Sequence, residues 1–387
     1  MNPEEWRWAD VVNIVSQVGG GHRTYSLLAR RSLAAVGLNV ALVNPREDGN
    51  LVTRSIWEAF KRGYELGGKS RMAQWVYELS RKNSDKGGLL LDLARLELVA
   101  ALANFPGEVL ADHAYVGVGR DLIQGDVGAE KPYADGKSVV FVPVAEAVKQ
   151  LIEFGHPEAL IREVGFLVPE EVKAGVYRQA RKDRLMSGWA HMGWFGTGAS
   201  PKQHYDWLQH KLLDELAPLL KGGRVKLTVY TWTNVAKAEE IERQARVNLG
   251  LRTNINGDDA ADGNWQVQVI YDQAPDRAIE KSLAVLPEID TLVTMLGERT
   301  GWLAGLPIYP LAPINFNCRA NTAWALERGY VPEIEATSEL AETLGPELKA
   351  GRPQLLARLD RAQKMPVNGA ENIAQIIAQR VREKAIA

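Results

Sequence analysis

The chain has 387 residues, 46% hydrophobic and 24% charged, the make-up of a globular protein of two to three domains. Its 46 Lys and Arg against 48 Asp and Glu leave a formal net charge of -2, without the basic excess of a nucleic-acid binder. The single cysteine, Cys318, excludes an internal disulfide framework and paired-cysteine metal sites; no apolar run approaches the roughly 18 residues of a spanning helix, and the start lacks signal-peptide regions, so a cytoplasmic protein is expected.

In chain order, a β-branched run from Val11 to Val15 leads into Gly19-Gly20-Gly21-His22. A helical period follows through Leu27, Leu28, Leu33, Ala34 and Val36, with Gly37 where a C-cap belongs and a second apolar run at Val40 to Val43. This β-loop-α-β unit predicts a parallel sheet. Residues 50 to 104 read as helical, with Trp57, Phe60, Tyr64, Met72, Trp75, Val76 and Leu79 at three- and four-residue spacings. Strands are expected near 108 to 117, 137 to 144 and 161 to 168, with helices at 146 to 155 and after Pro169. A second α/β set starts near 186: strands at GWAHMGWFG, 225 to 234, 265 to 271, 290 to 296 and 305 to 311, with helices between them and one at 318 to 329. The economical fold is α/β, with two facing Rossmann-like, doubly wound parallel-sheet domains and a cleft between them. The expected division is 1–182, 186–365 and a C-terminal helix at 366–387 packing back on the first domain. The charged run Arg178 to Arg184 is either the linker or a solvated helix end.

Ligands of open parallel sheets bind at the carboxyl ends of the strands. Gly19, Gly20 and Gly21 fall at such an end, where glycines let the backbone approach a ligand and present N–H groups at a helix start. His22 follows, placed for proton transfer near neutral pH. The same residues also fit a turn that only packs a helix on a sheet. Neither GxGxxG nor a P-loop is present, which disfavours a nicotinamide enzyme or a P-loop kinase. The second set has its own turn, Gly196-Thr197-Gly198-Ala199-Ser200-Pro201, in which Thr197 or Ser200 caps the next helix and backbone donors remain for a phosphate, or the loop is simply capped. Asp112-His113 at a strand end fits an oriented acid/base pair or a capping carboxylate. His191 reads as a packed strand residue. Asp258, Asp259 and Asp262 lack the EF-hand spacing and read as a solvated acidic turn rather than a metal loop.

The order of these segments resembles the GT-B glycosyltransferases, within them the branch of monogalactosyldiacylglycerol synthase, processive diacylglycerol glucosyltransferases and the peptidoglycan lipid N-acetylglucosaminyltransferase. The residues carrying it are GGGHRTYSLLARRSL (19 to 33), VLADHAYVG (109 to 117), FVPVAEAVKQLIEFG (141 to 155) and VGFLVPEE (164 to 171). In the second half they are FGTGASP (195 to 201), DTLVTMLGE (290 to 298), AGLPIYPL (304 to 311) and NTAWALERG (321 to 329). The resemblance implies a nucleotide-sugar donor, usually a UDP-sugar, on the C-terminal domain, an acceptor against the N-terminal domain, and no metal or other cofactor. It places His22, with Asp112 and His113, in catalysis and Gly19, Gly20 and Gly21 at the acceptor or phosphate. Gly196, Thr197, Gly198, Ser200, Gly297, Glu298 and Asn321 fall on the donor side. The chain departs from the family pattern in its short GERTGWLAG segment, and in Asn317-Cys318 where a Gln-Glu pair is usual; Glu298 is the substitute.

Eleven tryptophans against seven phenylalanines stand out. Trp6, Trp8, Trp57 and Trp75 lie among Arg7, Arg54, Lys61, Arg62, Lys69 and Arg71, as core anchors or as an interfacial surface for a lipid acceptor at the inner membrane face. Trp194, Trp232, Trp302 and Trp324 fall around the donor side, as ligand platforms or as core. The leading expectation is transfer of a sugar from a nucleoside diphosphate to a lipid or other hydroxyl acceptor, without a nucleic-acid partner. A nucleotide-sugar epimerase of related fold and a non-catalytic nucleotide-sugar or lipid binder are the alternatives.

Overall fold

The β-branched run Val11–Ile14 forms β1, buried along its whole length, and leads to helix α1 (Gly20–Ala35) and strand β2 (Val40–Val43). Gly37 ends the helix with a φ of 83°, a conformation open to glycine without a Cβ penalty. The structure is a computed structural model that describes residues 6, 8–15, 20–44, 51, 54–55, 58, 108–111, 139–153, 155–196, 202–257, 264–297, 299–313, 316–332, 346–347 and 353–386. The chain divides into two compact units, one of Met1–Val168, Asn315–Asn321 and Pro366–Ala387, the other of Pro169–Ile314 and Thr322–Met365.

In the first unit, β1 lies between β2 and β3 (Glu108–Ala111) in a parallel sheet. Asn13, buried within β1, donates to Ser26 Oγ at 2.9 Å and so ties α1 to the sheet. A parallel pair, β4 (Val140–Val142) and β5 (Ile161–Glu163), flanks helix α2 (Ala145–Glu153). The helix Gly369–Ile386 returns to this unit and packs on α1, Ile373 and Ile377 meeting Leu28 and Leu33 in one core. Arg380 and Lys384 of that helix pair with the buried Glu108 at 3.0 and 2.7 Å. Its entry is stitched by the Phe166 N–H donating to the Pro366 carbonyl at 2.8 Å. A Cβ on Gly369 would stand 2.4 Å from the Gly165 carbonyl oxygen, so only glycine permits this approach. Trp6 is buried among Ala9, Val12, Ile14, Ala41 and Val43, as a core anchor, whereas Trp8 is 60% exposed. No described helix is long and apolar enough to cross a membrane.

The second unit is built on six parallel strands: β6 (Ala190–Phe195), β7 (Val225–Tyr230), β8 (Thr253–Ile255), β9 (Val267–Ile270), β10 (Thr291–Thr294) and β11 (Ile308–Pro310). Their order is β11-β10-β6-β7-β9-β8. The run Arg178 to Arg184, read as a linker or as a solvated helix end, belongs to the latter part of helix α3 (Gly175–Met186) of this unit. Arg181 has no exposed surface, and its guanidinium donates to the carbonyls of Ile289 and Leu286 at 2.7 Å and of Glu171 at 2.8 Å. Burial lowers its pKa to about 10, which still leaves it charged. Arg184 Nε donates to the buried Asp290 at 2.7 Å, and Asp290 accepts the His191 N–H at 2.8 Å. His191 is a packed strand residue, its Nε2 lying 2.8 Å from Thr228 Oγ1.

These buried groups give the unit a pH dependence. Burial pushes the His191 imidazole down to about 3 and the Asp290 carboxyl up to about 6. On acidification from pH 7 to 5 the unfolded chain protonates its histidine and the folded chain does not, which costs about 2 kcal/mol. Asp290 has the opposite sign: its folded carboxyl takes up a proton first, which offsets about 1 kcal/mol over the same window. Urea midpoints at pH 7 and 5 are therefore expected to fall less in His191→Gln than in the wild type, and to fall more in Asp290→Asn.

Candidate functional site

Chain connections in the second sheet diverge at one place. From β6 the chain moves to β7 on one side, and from β9 it crosses back to β10 on the other side of β6. A crevice opens at the carboxyl ends of such a strand pair, where open α/β sheets hold their ligands. Here those ends are Phe195-Gly196 and the segment from Thr294 to Gly297, with the 3-10 turn Thr300–Ala304 beyond it.

Gly196 follows β6 and donates its N–H to the Tyr230 carbonyl at 3.0 Å. A Cβ at this position would lie 2.9 Å from the Trp194 ring and 3.0 Å from the Tyr205 hydroxyl. Tyr205 belongs to helix α4 (Lys202–Trp207), which continues through a π-helical segment Leu208–Leu212 into Leu213–Lys221. Its ring packs 5.1 Å from that of Trp194, with Lys237 Nζ 5.8 Å from its centroid. Burial holds the Tyr205 phenol protonated, well above its ordinary pKa, against the opposing charge of Arg299. In the first turn of α4, burial lowers His204 to about 4 while the Ala312 carbonyl accepts its proton, so the imidazole is neutral.

Arg299 is the central charge of the crevice. It is 6% exposed, and its Nη1 donates to Thr294 Oγ1 at 2.9 Å and to the Phe195 carbonyl at 3.3 Å. Thr294 in turn donates to the same carbonyl at 2.8 Å. The guanidinium carbon stands 5.7 Å from the Phe195 ring and 5.4 Å from the Trp302 ring. Among the described residues no carboxylate pairs with it, and the hydrogen bonds it makes to them run through Nη1. A nearly buried cation held by neutral dipoles favours an anion beside it, and its planar fork matches a phosphate or carboxylate.

The structure places two expected donor-side residues, Gly196 and Gly297, after adjacent strands of this crevice. Asn321, on the helix Phe316–Glu327, is buried and groups with the first unit. Gly20, Gly21 and His22 form the first turn of α1. Gly19, Asp112, His113, Thr197, Gly198, Ser200, Glu298, Trp57, Trp75, Asp258, Asp259 and Asp262 lie outside the described residues. Trp194, Trp302 and Trp324 are buried, while Trp232 is partly exposed. Among the described residues no group of three or more His, Cys, Asp and Glu is placed to hold a metal ion. Sequence reasoning passed over Arg299 and Tyr205. The signal for Arg299 was a lone cation between a strand end and the apolar Trp302-Leu303-Ala304; Tyr205 carried none.

No family model matches this chain, and no curated protein matches it in sequence. Solved structures do match in shape. The MnaA–UDP structure from S. aureus is similar over 97% of this chain and 96% of its own, at 10% identity and a TM-score of 0.51. A putative UDP-N-acetylglucosamine 2-epimerase from Listeria monocytogenes is similar over 96% of this chain and 95% of its own, at 11% identity and a TM-score of 0.50. HepE of Anabaena, in complex with UDP-glucose, covers 96% of this chain and 99% of its own at 13% identity, with a TM-score of 0.44. The fold is thus α/β with Rossmann-like parallel-sheet domains, of the GT-B kind.

Gly196→Ala is expected to destabilise the second unit by about 1–3 kcal/mol, because the new methyl forces apart Trp194 and Tyr205. Chemical denaturation checks the loss.

Proposed function

We propose that this chain is an enzyme acting on a nucleoside-diphosphate sugar, a UDP-sugar by the resemblance of its segments, and that it transfers the sugar to a hydroxyl acceptor. The observation that carries this reading is Arg299, a buried guanidinium without a carboxylate partner among the described residues, at the switch point of the second sheet. A diphosphate supplies the missing anion. As the bond between the anomeric carbon and the β-phosphate oxygen breaks, its electron pair stays on the diphosphate, and a fixed cation in a dry crevice stabilises that growing charge. The acceptor oxygen bonds the anomeric carbon and gives up its proton to a base, the role that the resemblance of the GGGH segment assigns to His22. The remaining donor-side roles fall to Gly196, Gly297, Glu298 and Asn321 and to the turn of Thr197, Gly198 and Ser200; Asp112 and His113 stay candidates in proton transfer. Catalysis by this route calls for no metal.

A lipid acceptor, with a peripheral contact at the inner membrane face, is the finer form of the proposal. The GGGH segment at 19 to 22 and the exposed Trp8 support it. Epimerisation of the nucleotide sugar is the second reading, favoured by the likeness in fold to the putative 2-epimerase from Listeria monocytogenes.

Calorimetric titration tests the proposal. UDP is expected to bind the wild type, and Arg299→Met to weaken it roughly 10- to 100-fold, the worth of charge-assisted hydrogen bonds. His22→Ala is expected to keep UDP binding and lose turnover. UDP released from a UDP-sugar only when a lipid extract is added favours transfer; an epimer formed without acceptor favours the second reading. A protein that binds no nucleoside diphosphate sinks both.

A further inference from the structure

Trp232 combines a strained backbone with partial exposure. Its φ is 63°, the left-handed region that costs a bulky side chain on the order of 1–2 kcal/mol. It sits just past β7, at the second position of a turn closed by the Asn234 N–H donating to the Thr231 carbonyl at 3.1 Å. Positive φ at that position normally selects glycine, asparagine or aspartate. The surroundings impose the conformation. The Asp272 N–H donates to the Trp232 carbonyl at 3.1 Å, and Asn234 Oδ1 accepts the Lys237 N–H at 3.1 Å as the cap of the helix Val235–Arg243.

The buried tryptophans of this unit fill its core, but among the described residues Trp232 meets one aromatic neighbour, the Tyr230 ring, edge-on at 6.3 Å. That neighbour belongs to a row across the carboxyl ends of β6 and β7. Trp302 lies 6.5 Å from Phe195, and Phe195 lies 5.3 Å from Tyr230. Arg299 stands over the Trp302 and Phe195 end of the row. Trp232 adjoins the Tyr230 end of the row, just past the carboxyl end of β7, the strand that pairs with β6.

We infer that Trp232 is the platform against which the base of the bound nucleotide stacks, an assignment that rests on the diphosphate site proposed at Arg299. Strain kept at a ligand rim, where a glycine would relieve it, marks a side chain retained for contact. Stacking on an aromatic face accepts any base, so Trp232 selects nucleoside diphosphates over pyrophosphate and leaves the choice of base to other groups.

Calorimetric titrations with UDP and with inorganic pyrophosphate, on wild type, Trp232→Gly, Trp232→Phe and Arg299→Met, test the inference. Trp232→Gly is expected to bind UDP roughly 5- to 150-fold more weakly, the range of base–aromatic stacking, with pyrophosphate binding unchanged. Trp232→Phe is expected to retain most of the UDP affinity, and Arg299→Met to weaken both ligands roughly 10- to 100-fold. Unchanged UDP affinity in Trp232→Gly overturns the platform and leaves the diphosphate site standing. A wild type that binds neither ligand overturns the inference together with the reading beneath it. If Trp232→Gly loses pyrophosphate as well, the loop has moved and Trp232→Phe decides: near wild-type UDP affinity supports stacking, and a loss equal to that of glycine overturns it.

Discussion

Asp290 and the two arginines of one helix decide where β10 lies, and the crevice follows from that. The Asp290 N–H donates to the His191 carbonyl while its carboxylate accepts the His191 N–H, so the start of β10 is held to the start of β6. Arg184 neutralises that carboxylate, and Arg181 gathers the carbonyls of Leu286 and Ile289 that lead into the strand. With this end secured, the parallel register carries Thr294 alongside Phe195 at the far end. Arg299 then meets both strand ends at once. Buried charges whose partners are all backbone dipoles or one carboxylate tolerate little displacement, since each lost bond leaves a desolvated ion.

The two buried arginines of the second unit differ in kind. Arg181 spends its donors on the backbone carbonyls of Ile289, Leu286 and Glu171, and is structural throughout. Arg299 bonds the strand ends through Nη1, and on the reading proposed above the rest of its fork faces the diphosphate. That contrast, rather than burial alone, separates a scaffold cation from a binding one.

Much of the architecture was legible. The run Val11–Val15, the period through Leu27 and Leu33, and Gly37 placed a strand, a helix and its end where the structure has them. Local alternation and helical spacing are set by neighbours in sequence, so they survive without tertiary knowledge. The edge strand Thr253–Ile255 escaped, because three residues with a polar centre give no period. The run Arg178–Arg184 misled for a different reason. Five charges in seven residues read as solvated, but carbonyls a hundred residues away take up Arg181. At the site, Gly196 and Gly297 were readable as turn residues. The isolated Arg299 and the left-handed Trp232 were not, since one gains meaning from strand order and the other from a backbone angle.

The helix Gly369–Ile386 shapes how this chain is made. Its apolar face completes the core around Leu28 and Leu33, and its Arg380 and Lys384 answer the charge of Glu108. On the ribosome those partners emerge hundreds of residues apart, with the entire second sheet translated in between. The first unit therefore waits through synthesis with an uncovered apolar stripe and a bare buried-to-be carboxylate, while the second acquires its strands from one unbroken stretch. Translation order thus runs against assembly order, and the half that starts first closes last.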